Sequence, residues 1–123
     1  MMHVFLAAFQ IDARAALRLL LFNSGMQVVG ESADWATTLH LAQETQPQLV
    51  LIDAELIPCV THNRLTPLRH ICPTANIIVL VNQLNTHHHA TLAAEADLLL
   101  DKSIMPDRIA KRILVAGGRT LSD

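Results

Sequence analysis

Two charged residues follow apolar runs, at positions where their side chains could do chemistry. Asp53 comes directly after the apolar residues 49–52, and Lys102 follows Asp101 after a run of three leucines. Such runs are typical of parallel strands that are covered on both faces. Parallel strands end at one edge of their sheet, where open α/β folds bind ligands. Asp53 and Lys102 are therefore expected to lie together if their strands are neighbours.

The elements that would position these residues alternate along the chain, which predicts a parallel sheet with helices on both faces. Strands are predicted over residues 3–8, 27–30, 49–53, 77–81 and 98–102. Helices are predicted over residues 12–23, 34–44, 63–71, 86–95 and 106–115. A loop is predicted over residues 54–61, and a turn at Pro73 and Asn76.

Local signals set the expected ends of the first three helices. Asp12 and Asp34 are predicted N-caps, because a short side chain with an acceptor oxygen bonds a free backbone N–H there. Gly25 is expected to end the first helix and Pro47 the second. Pro67 is expected to interrupt the third helix, which makes it short and weak.

Composition limits the class of protein. A chain of 123 residues that is 51% hydrophobic predicts one globular domain. A formal net charge of −2, three Phe, one Trp and no Tyr argue against a nucleic-acid interface. No membrane span or signal peptide is indicated. Cys59 and Cys72 are predicted to be reduced thiols in the cytoplasm, with a disulfide as the open alternative.

No motif indicates an enzyme. There is no glycine-rich dinucleotide or phosphate loop, and no nucleophile–base arrangement can be argued from spacing. Three consecutive histidines, His87, His88 and His89, invite a metal site. Consecutive side chains on a helix point about 100° apart, so these three cannot close on one ion. They are expected to be a solvated helix start.

The order of elements, with Asp53 ending the third strand and Lys102 the fifth, resembles the receiver domain of bacterial response regulators, the CheY-like fold. Four segments are similar to the LuxR/NarL branch: residues 28–33, 46–53, 94–103 and 116–122. The resemblance implies an α/β fold with a doubly wound, five-stranded parallel sheet in the strand order 2-1-3-4-5. It implies a receiver-like domain over residues 1–116, with residues 117–123 starting a linker toward a possible helix-turn-helix domain.

The resemblance also implies roles for residues at the edge of the sheet. In that family the Asp at the position of Asp53 accepts a phosphoryl group from a histidine kinase, and the Lys at Lys102 pairs with the phosphate. An acidic pair after the first strand holds Mg²⁺. A Thr or Ser ends the fourth strand, and an aromatic residue on the fifth reports the phosphorylated state. Implied partners are a histidine kinase or an output domain, and a second copy bound through helix four, strand five and helix five.

This chain departs from that pattern at four positions. The acidic pair falls on Ala7 and Ala8, the Thr or Ser on Val81, and the aromatic residue on Leu99. Mg²⁺ needs oxygen ligands in near-octahedral geometry, which alanine side chains cannot supply. Binding of Mg²⁺ is therefore expected to be weak or absent, and no other cofactor is indicated.

Three other residues near this edge could offer oxygen to a metal ion. Asp12 is better explained as an N-cap, and Gln10 offers only a neutral ligand. Glu55, two residues after Asp53, is the remaining weak candidate.

Three functions remain open. The first is an atypical receiver domain that acts in signalling or transcriptional control through protein contacts, where Asp53 and Lys102 form an ion pair and phosphorylation is weak or lost. The second is a receiver that is still phosphorylated at Asp53. The third is a small-ligand module that uses the emptied pocket lined by Ala7, Ala8 and Val81.

Overall fold

The computed structural model describes residues 2–58, 64–81 and 95–101. The strands are β1 (Met2–Ala7), β2 (Met26–Ser32), β3 (Leu49–Asp53), β4 (Asn76–Val81) and β5 (Leu98–Asp101). The helices are α1 (Ile11–Asn23), α2 (Trp35–Thr45) and α3 (Thr66–Ile71), with a 3-10 turn over Ala54–Leu56.

The strands form one parallel sheet in the order β2-β1-β3-β4-β5. This confirms the predicted fold class and strand order. The register aligns the carboxyl ends of the strands: Ala7 lies opposite Ile52, Asp53 opposite Leu80, and Val81 opposite Asp101. The edge where ligands bind in such folds therefore carries the residues that the sequence singled out.

Two apolar cores, one on each face, hold the sheet between its helices. Alternate strand residues point to opposite faces, so each strand contributes to both cores. On one face Phe5, Val50 and Val79 pack with α2 and α3, and on the other Leu6, Leu51 and Ile78 pack with Leu21 of α1. β3 is buried along its whole length. A run buried on both faces is the signature of a central parallel strand.

The start of α1 corrects one prediction. Asp12 is not the N-cap: the helix begins at Ile11, and Gln10 is the N-cap without a side-chain hydrogen bond. The backbone carbonyl of Gln10 accepts from the N–H of Arg14 at 3.0 Å. Asp12 lies instead in the first turn, where the positive end of the helix dipole favours a carboxylate.

The ends of α1 and α2 confirm two other predictions. After α1, Gly25 has φ +80°, in the left-handed region that lacks a steric penalty only for glycine. α2 ends at Thr45, two residues before Pro47, and Gln46 takes the left-handed cap with φ 44°. Its amide side chain donates to the carbonyl of Ile71, which ties this turn to the end of α3.

Between β3 and β4 the structure corrects two predictions and adds a 3-10 turn to a third. Pro67 does not interrupt a helix, because α3 starts at Thr66 and Pro67 lies in its first turn, where the missing N–H costs nothing. Asn76 is not in a turn but begins β4, and its N–H donates to the carbonyl of Gln48 at 3.0 Å. The predicted loop 54–61 begins with a 3-10 turn, because the Asp53 side chain caps it.

Several predictions lie outside the described residues. They include the helix over 106–115 and, except for its last residue, the helix over 86–95. Lys102, Cys59 and the histidines at 87–89 also fall there. Cys72 is a free, buried thiol, and burial raises its pKa. No helix in the described ranges is long and apolar enough to cross a membrane.

The Asp34 cap makes the stability of α2 depend on pH. Its carboxylate accepts from the backbone N–H of Thr37 at 2.7 Å and from the Thr37 hydroxyl at 3.0 Å, which lowers the pKa of Asp34 below 3.8. A lowered folded-state pKa means that this stability is present above the unfolded pKa and is lost as pH falls through the folded value. We expect the melting temperature of Asp34→Asn, which caps without titrating, to fall less than that of the wild type as pH falls through the lowered pKa of Asp34. Equal acid sensitivity of the variant and the wild type would contradict this role.

Candidate functional site

The Asp53 carboxylate lies at the end of the central strand, with only 6% of the residue exposed. One of its oxygens, Oδ1, accepts a hydrogen bond from the backbone N–H of Glu55 at 3.1 Å. This bond starts the 3-10 turn and fixes the carboxylate at the edge of the sheet. The side chain of Glu55 is exposed on that turn. The structure thus places the Asp53 carboxylate at the carboxyl end of the central strand.

The positions beside Asp53 are apolar and buried. Ala7 ends β1, and the N–H of Ala8 extends the pairing with β2 by donating to the carbonyl of Ser32 at 3.0 Å. Ala7, Ala8 and Val81 are each at most 1% exposed. Their side chains carry no oxygen or nitrogen. This part of the edge therefore offers no side-chain ligand to a cation and no donor to a phosphoryl oxygen.

A guanidinium lies against the backbone directly after β1. Nη1 of Arg14 donates to the carbonyl of Ala8 at 2.7 Å and to that of Phe9 at 3.2 Å. Arg14 projects from the first turns of α1 and its side chain is 17% exposed. A fixed positive charge at this place disfavours a second cation nearby. This bond uses one of the two lone pairs of the Ala8 carbonyl oxygen.

Glu31 at the end of β2 holds the Arg14 side chain and a second arginine. Its carboxylate accepts from Nε and Nη2 of Arg18 at 2.6 and 3.0 Å, and it lies 3.6 Å from Nε of Arg14. The hydrogen bonds and charge of Glu31 raise the pKa of Arg18. A two-pronged arginine–carboxylate pair fixes geometry as well as charge. The cluster carries two positive charges and one negative charge, so it remains cationic.

The residues at this edge do not fit Mg²⁺, the metal that the fold family implies. Mg²⁺ needs several oxygen ligands, and the side chains of Ala7 and Ala8 supply none. Arg14 also places positive charge on the Ala8 carbonyl. Within the described ranges, no three His, Cys, Asp or Glu side chains are grouped so that they could hold a metal ion.

The neighbours of Leu99 on β5 are aliphatic. Leu99 lies opposite Val79, and both pack in the core shared with α2 and α3, together with Val81. Leu99 is partly buried in this core. A leucine has no ring that could turn between a buried and an exposed position while keeping a polar tip in water. Strand β5 therefore contributes packing at this position.

A carboxylate brings the chain after β3 against the chain before β5. Oε1 of Glu95 accepts from the backbone N–H of Leu65 at 2.8 Å, and Oε2 accepts from that of Arg64 at 3.1 Å. Nearby, Arg69 of α3 donates to the Asp97 carboxylate at 3.1 Å, and Asp97 also accepts from the N–H of Ile77 at 2.6 Å. These bonds hold the start of α3 against the chain that leads into β5.

We expect Glu95→Ala to lower the free energy of unfolding by about 2 kcal/mol, because two backbone N–H groups lose a charged acceptor. Glu44→Ala is the matched control: Glu44 is an exposed glutamate on α2 whose carboxylate lies 3.3 Å from His40, and its loss should change little. Urea unfolding measures both variants. Equal values for the two would show that the Glu95 bonds contribute nothing.

The sequence analysis singled out neither Arg14 nor Glu95. A signal for Arg14 was present, since Arg14 and Arg18 are four residues apart on one helix and precede Glu31 at the end of the adjacent strand. Glu95 gave no such signal, because it bonds to backbone groups 30 and 31 residues away. Of the predicted pair, Asp53 is described and Lys102 lies outside the described residues, so their contact stays a prediction.

Solved receiver domains share this fold. The signal receiver domain of NarL from Mycobacterium tuberculosis superposes with a TM-score of 0.82 at 19% identity, over 95% of this chain and 96% of that chain. A LuxR-family DNA-binding response regulator from Staphylococcus aureus gives 0.81 at 17% identity, over 95% and 99%. The receiver domain of RcsB from Salmonella enterica serovar Typhimurium gives 0.79 at 18% identity, over 96% and 88%.

No protein-family model matches the sequence, and no curated protein matches it. The likeness to solved structures defines the class of fold: the chain has the CheY-like fold of response-regulator receiver domains. The neighbours include receivers of the LuxR and NarL type, which confirms the resemblance on the level of the fold.

Proposed function

We propose that the chain is an atypical receiver domain of a two-component response regulator, with phosphorylation at Asp53 weak or lost. It acts in the cytoplasm, in signalling or transcriptional control, through contacts with proteins. The observation that carries this proposal is the edge around Asp53: the phosphoacceptor position is kept, whereas alanines occupy the metal-ligand positions and Arg14 binds the carbonyl of Ala8.

The chemistry of phosphoryl transfer supports this reading. Transfer depends on positioning the phosphoryl group and on neutralising its charge. Metal ions supply the neutralising positive charge in the enzymes and receivers that perform this transfer. Among the described residues at this edge, Arg14 carries positive charge, and its guanidinium is held by Glu31 and two carbonyls. The resemblance adds Lys102. A phosphoryl group arriving at the Asp53 carboxylate would meet repulsion with little to offset it.

The proposal includes the parts of the chain that the structure does not describe. Residues 1–116 form the receiver-like domain, and residues 117–123 begin a linker toward an output domain. A histidine kinase or an output domain is the protein partner. Since the start of α3 is held by Glu95 within the chain, we infer that one conformation is presented to this partner without phosphorylation.

The alternative of a small-ligand module has less support. Ala7, Ala8 and Val81, which would line the emptied pocket, expose at most 1% of their surface. A ligand needs accessible walls that enclose most of its own surface. The described residues do form a groove of about 600 Å³, but it lies between α3 and Glu95 and is lined by Leu65, Thr66, Arg69, His70, Pro73 and Glu95.

A binding measurement with a phosphoryl mimic tests the proposal. BeF₃⁻, the phosphomimetic present in the RcsB structure, is added with Mg²⁺ and the melting temperature is followed. Ligands that bind the folded state raise this temperature. We expect no shift for this chain and a clear shift for a conventional receiver measured beside it. A shift that Asp53→Asn abolishes would instead establish a phosphorylation-competent receiver.

A further inference from the structure

Arg14 donates its hydrogen bonds to a set of oxygen atoms that resembles the ligand set of a metal ion. Its Nη1 donates to the carbonyls of Ala8 and Phe9 at 2.7 and 3.2 Å, and its Nε lies 3.6 Å from a carboxylate oxygen of Glu31. Its backbone N–H donates to the carbonyl of Gln10 at 3.0 Å. Three successive carbonyls therefore accept from one residue. Carbonyl and carboxylate oxygens are the ligands that hard cations take in protein loops.

These bonds fix the segment between β1 and α1, which apolar packing holds only weakly. Phe9 is 66% exposed, Ile11 at the start of α1 is 68% exposed, and Gln10 caps the helix without a side-chain hydrogen bond. By contrast, both backbone polar groups of Ala8 are bonded: its N–H donates to a carbonyl of β2 at 3.0 Å, and its own carbonyl accepts from Arg14. The side chain of Arg14 thus supplies order that contacts with the core do not.

The segment that Arg14 holds lies at the edge of the sheet that carries Asp53. Ala7 lies opposite Ile52, the residue before Asp53, and Ala8 follows directly at the same edge. An arginine side chain stays positively charged at any physiological pH. The positive charge beside this edge is therefore always present, whereas the occupancy of a metal site depends on the concentration of the ion.

Much of the charge on Arg14 is left uncompensated by its neighbours in the cluster. The Glu31 carboxylate lies 2.6 Å from Nε of Arg18 but 3.6 Å from Nε of Arg14, so Arg18 is its main partner. The Arg18 side chain is 50% exposed and that of Arg14 only 17%. Water and salt screen a half-exposed charge more than a mostly buried one. Arg14 is therefore the stronger source of positive potential at the backbone after β1.

We propose that Arg14 is the resident cation of this edge, the positive group that takes over the work of a metal ion. It orders the segment between β1 and α1 through carbonyl oxygens, and its charge opposes the binding of a divalent cation beside Asp53. Within the proposed function, on which this inference rests, weak metal binding then has two causes. Ala7 and Ala8 supply no ligands, and Arg14 adds repulsion.

Binding of Mn²⁺ to chains that carry Ala8→Asp separates repulsion from a structural role. Ala8→Asp supplies a carboxylate ligand, and Mn²⁺ takes oxygen ligands as Mg²⁺ does. Electron paramagnetic resonance of the free ion gives its dissociation constant. We expect Arg14→Gln to lower this constant at least about tenfold, because a unit charge close to a divalent ion is removed. Arg18→Gln is the matched control, with the same change of charge on the same helix. Since Arg18 is half exposed, its loss should change the constant by at most about twofold.

Glu31→Gln gives a second test with the opposite sign. The amide oxygen of Gln still accepts hydrogen bonds from the arginines, but a negative charge is lost. We therefore expect Glu31→Gln to raise the Mn²⁺ dissociation constant of Ala8→Asp several-fold. A purely structural cluster predicts one direction for Arg14→Gln and Glu31→Gln, because both changes weaken the same contacts. Circular dichroism establishes that each variant folds.

Mn²⁺ binding that is unchanged or weaker after Arg14→Gln would overturn the proposal. So would binding that is unchanged or tighter after Glu31→Gln, which decides the matter even if Arg14→Gln does not fold. Absence of binding with and without Arg14 would overturn it as well. Metal affinity is measured here rather than phosphorylation, so a failure of this test leaves the proposed function to its own test with the phosphoryl mimic.

Discussion

Replacing Ala8 with Asp is expected to make the folded state depend on Mg²⁺. The position directly follows β1, at the same edge of the sheet as Asp53. A second carboxylate there repels that of Asp53 and is poorly solvated, so the variant should be less stable than the wild type without metal. Mg²⁺ relieves both effects by binding the two carboxylates.

The size of the effect follows from linkage. A ligand at about 20 times its dissociation constant stabilises the folded state by about 1.8 kcal/mol. For a domain of this length that is a rise in melting temperature of roughly 5–10 °C. The wild type and Ala8→Asn, which has nearly the same size without the charge, should show no rise. If Mg²⁺ does not raise the melting temperature of Ala8→Asp, the missing carboxylate does not explain the weak metal binding. Arg14 is then the next residue to test.

Gly30→Ala is expected to lower the free energy of unfolding by about 1–3 kcal/mol, the usual cost of overfilling a packed core. Gly30 lies in β2 opposite Phe5, where the register between β1 and β2 shifts. A Cβ on Gly30 would lie 2.7 Å from Cε2 and 2.9 Å from Cδ2 of Phe5. Phe5 is fully buried, so its ring has little room to move away.

The origin of this cost can be separated from backbone strain. Phe5→Leu removes the ring edge that meets the new methyl group, so the double variant should recover much of the loss from Gly30→Ala. Gly25→Ala is the matched control, because Gly25 has φ +80° and nothing within 4 Å of its Cβ position. It should also destabilise, but Phe5→Leu should not relieve it. Denaturant unfolding of the single and double variants measures these free energies. Full additivity of Gly30→Ala and Phe5→Leu would contradict a steric cause.

Sequence alone could predict the sheet, because the apolar runs are long enough to identify central strands. An apolar run such as residues 49–52 is typical of a strand that is buried on both faces. Asp53, which follows the run, then lies at the carboxyl edge of the sheet. The ends of elements were harder to predict. Asp12 and Asn76 have the residue types of a cap and a turn, yet Asp12 lies in the first turn of α1 and Asn76 begins β4. Local preferences of this size are readily overridden by packing.

In the candidate site, too, some residues could be predicted from the sequence and others could not. Positions that lie within strands, such as Ala7 and Val81, could be counted from neighbouring residues, because strands run in fixed register. Arg14 acts on a backbone carbonyl, and Glu95 acts on backbone N–H groups, so neither depends on a partner residue type that a sequence displays. Contacts to backbone groups of distant segments become visible only once the chain is folded.

Intact-mass spectrometry shows whether Asp53, in its place at the end of β3, has lost efficient phosphorylation. The chain is incubated with acetyl phosphate and Mg²⁺, beside Asp53→Asn and a conventional receiver that takes the label. We predict no phosphoryl adduct on the wild-type chain under conditions that label the conventional receiver. An adduct on the wild type that Asp53→Asn lacks would show a working phosphoacceptor and contradict the proposal that Ala7 and Ala8 disable it.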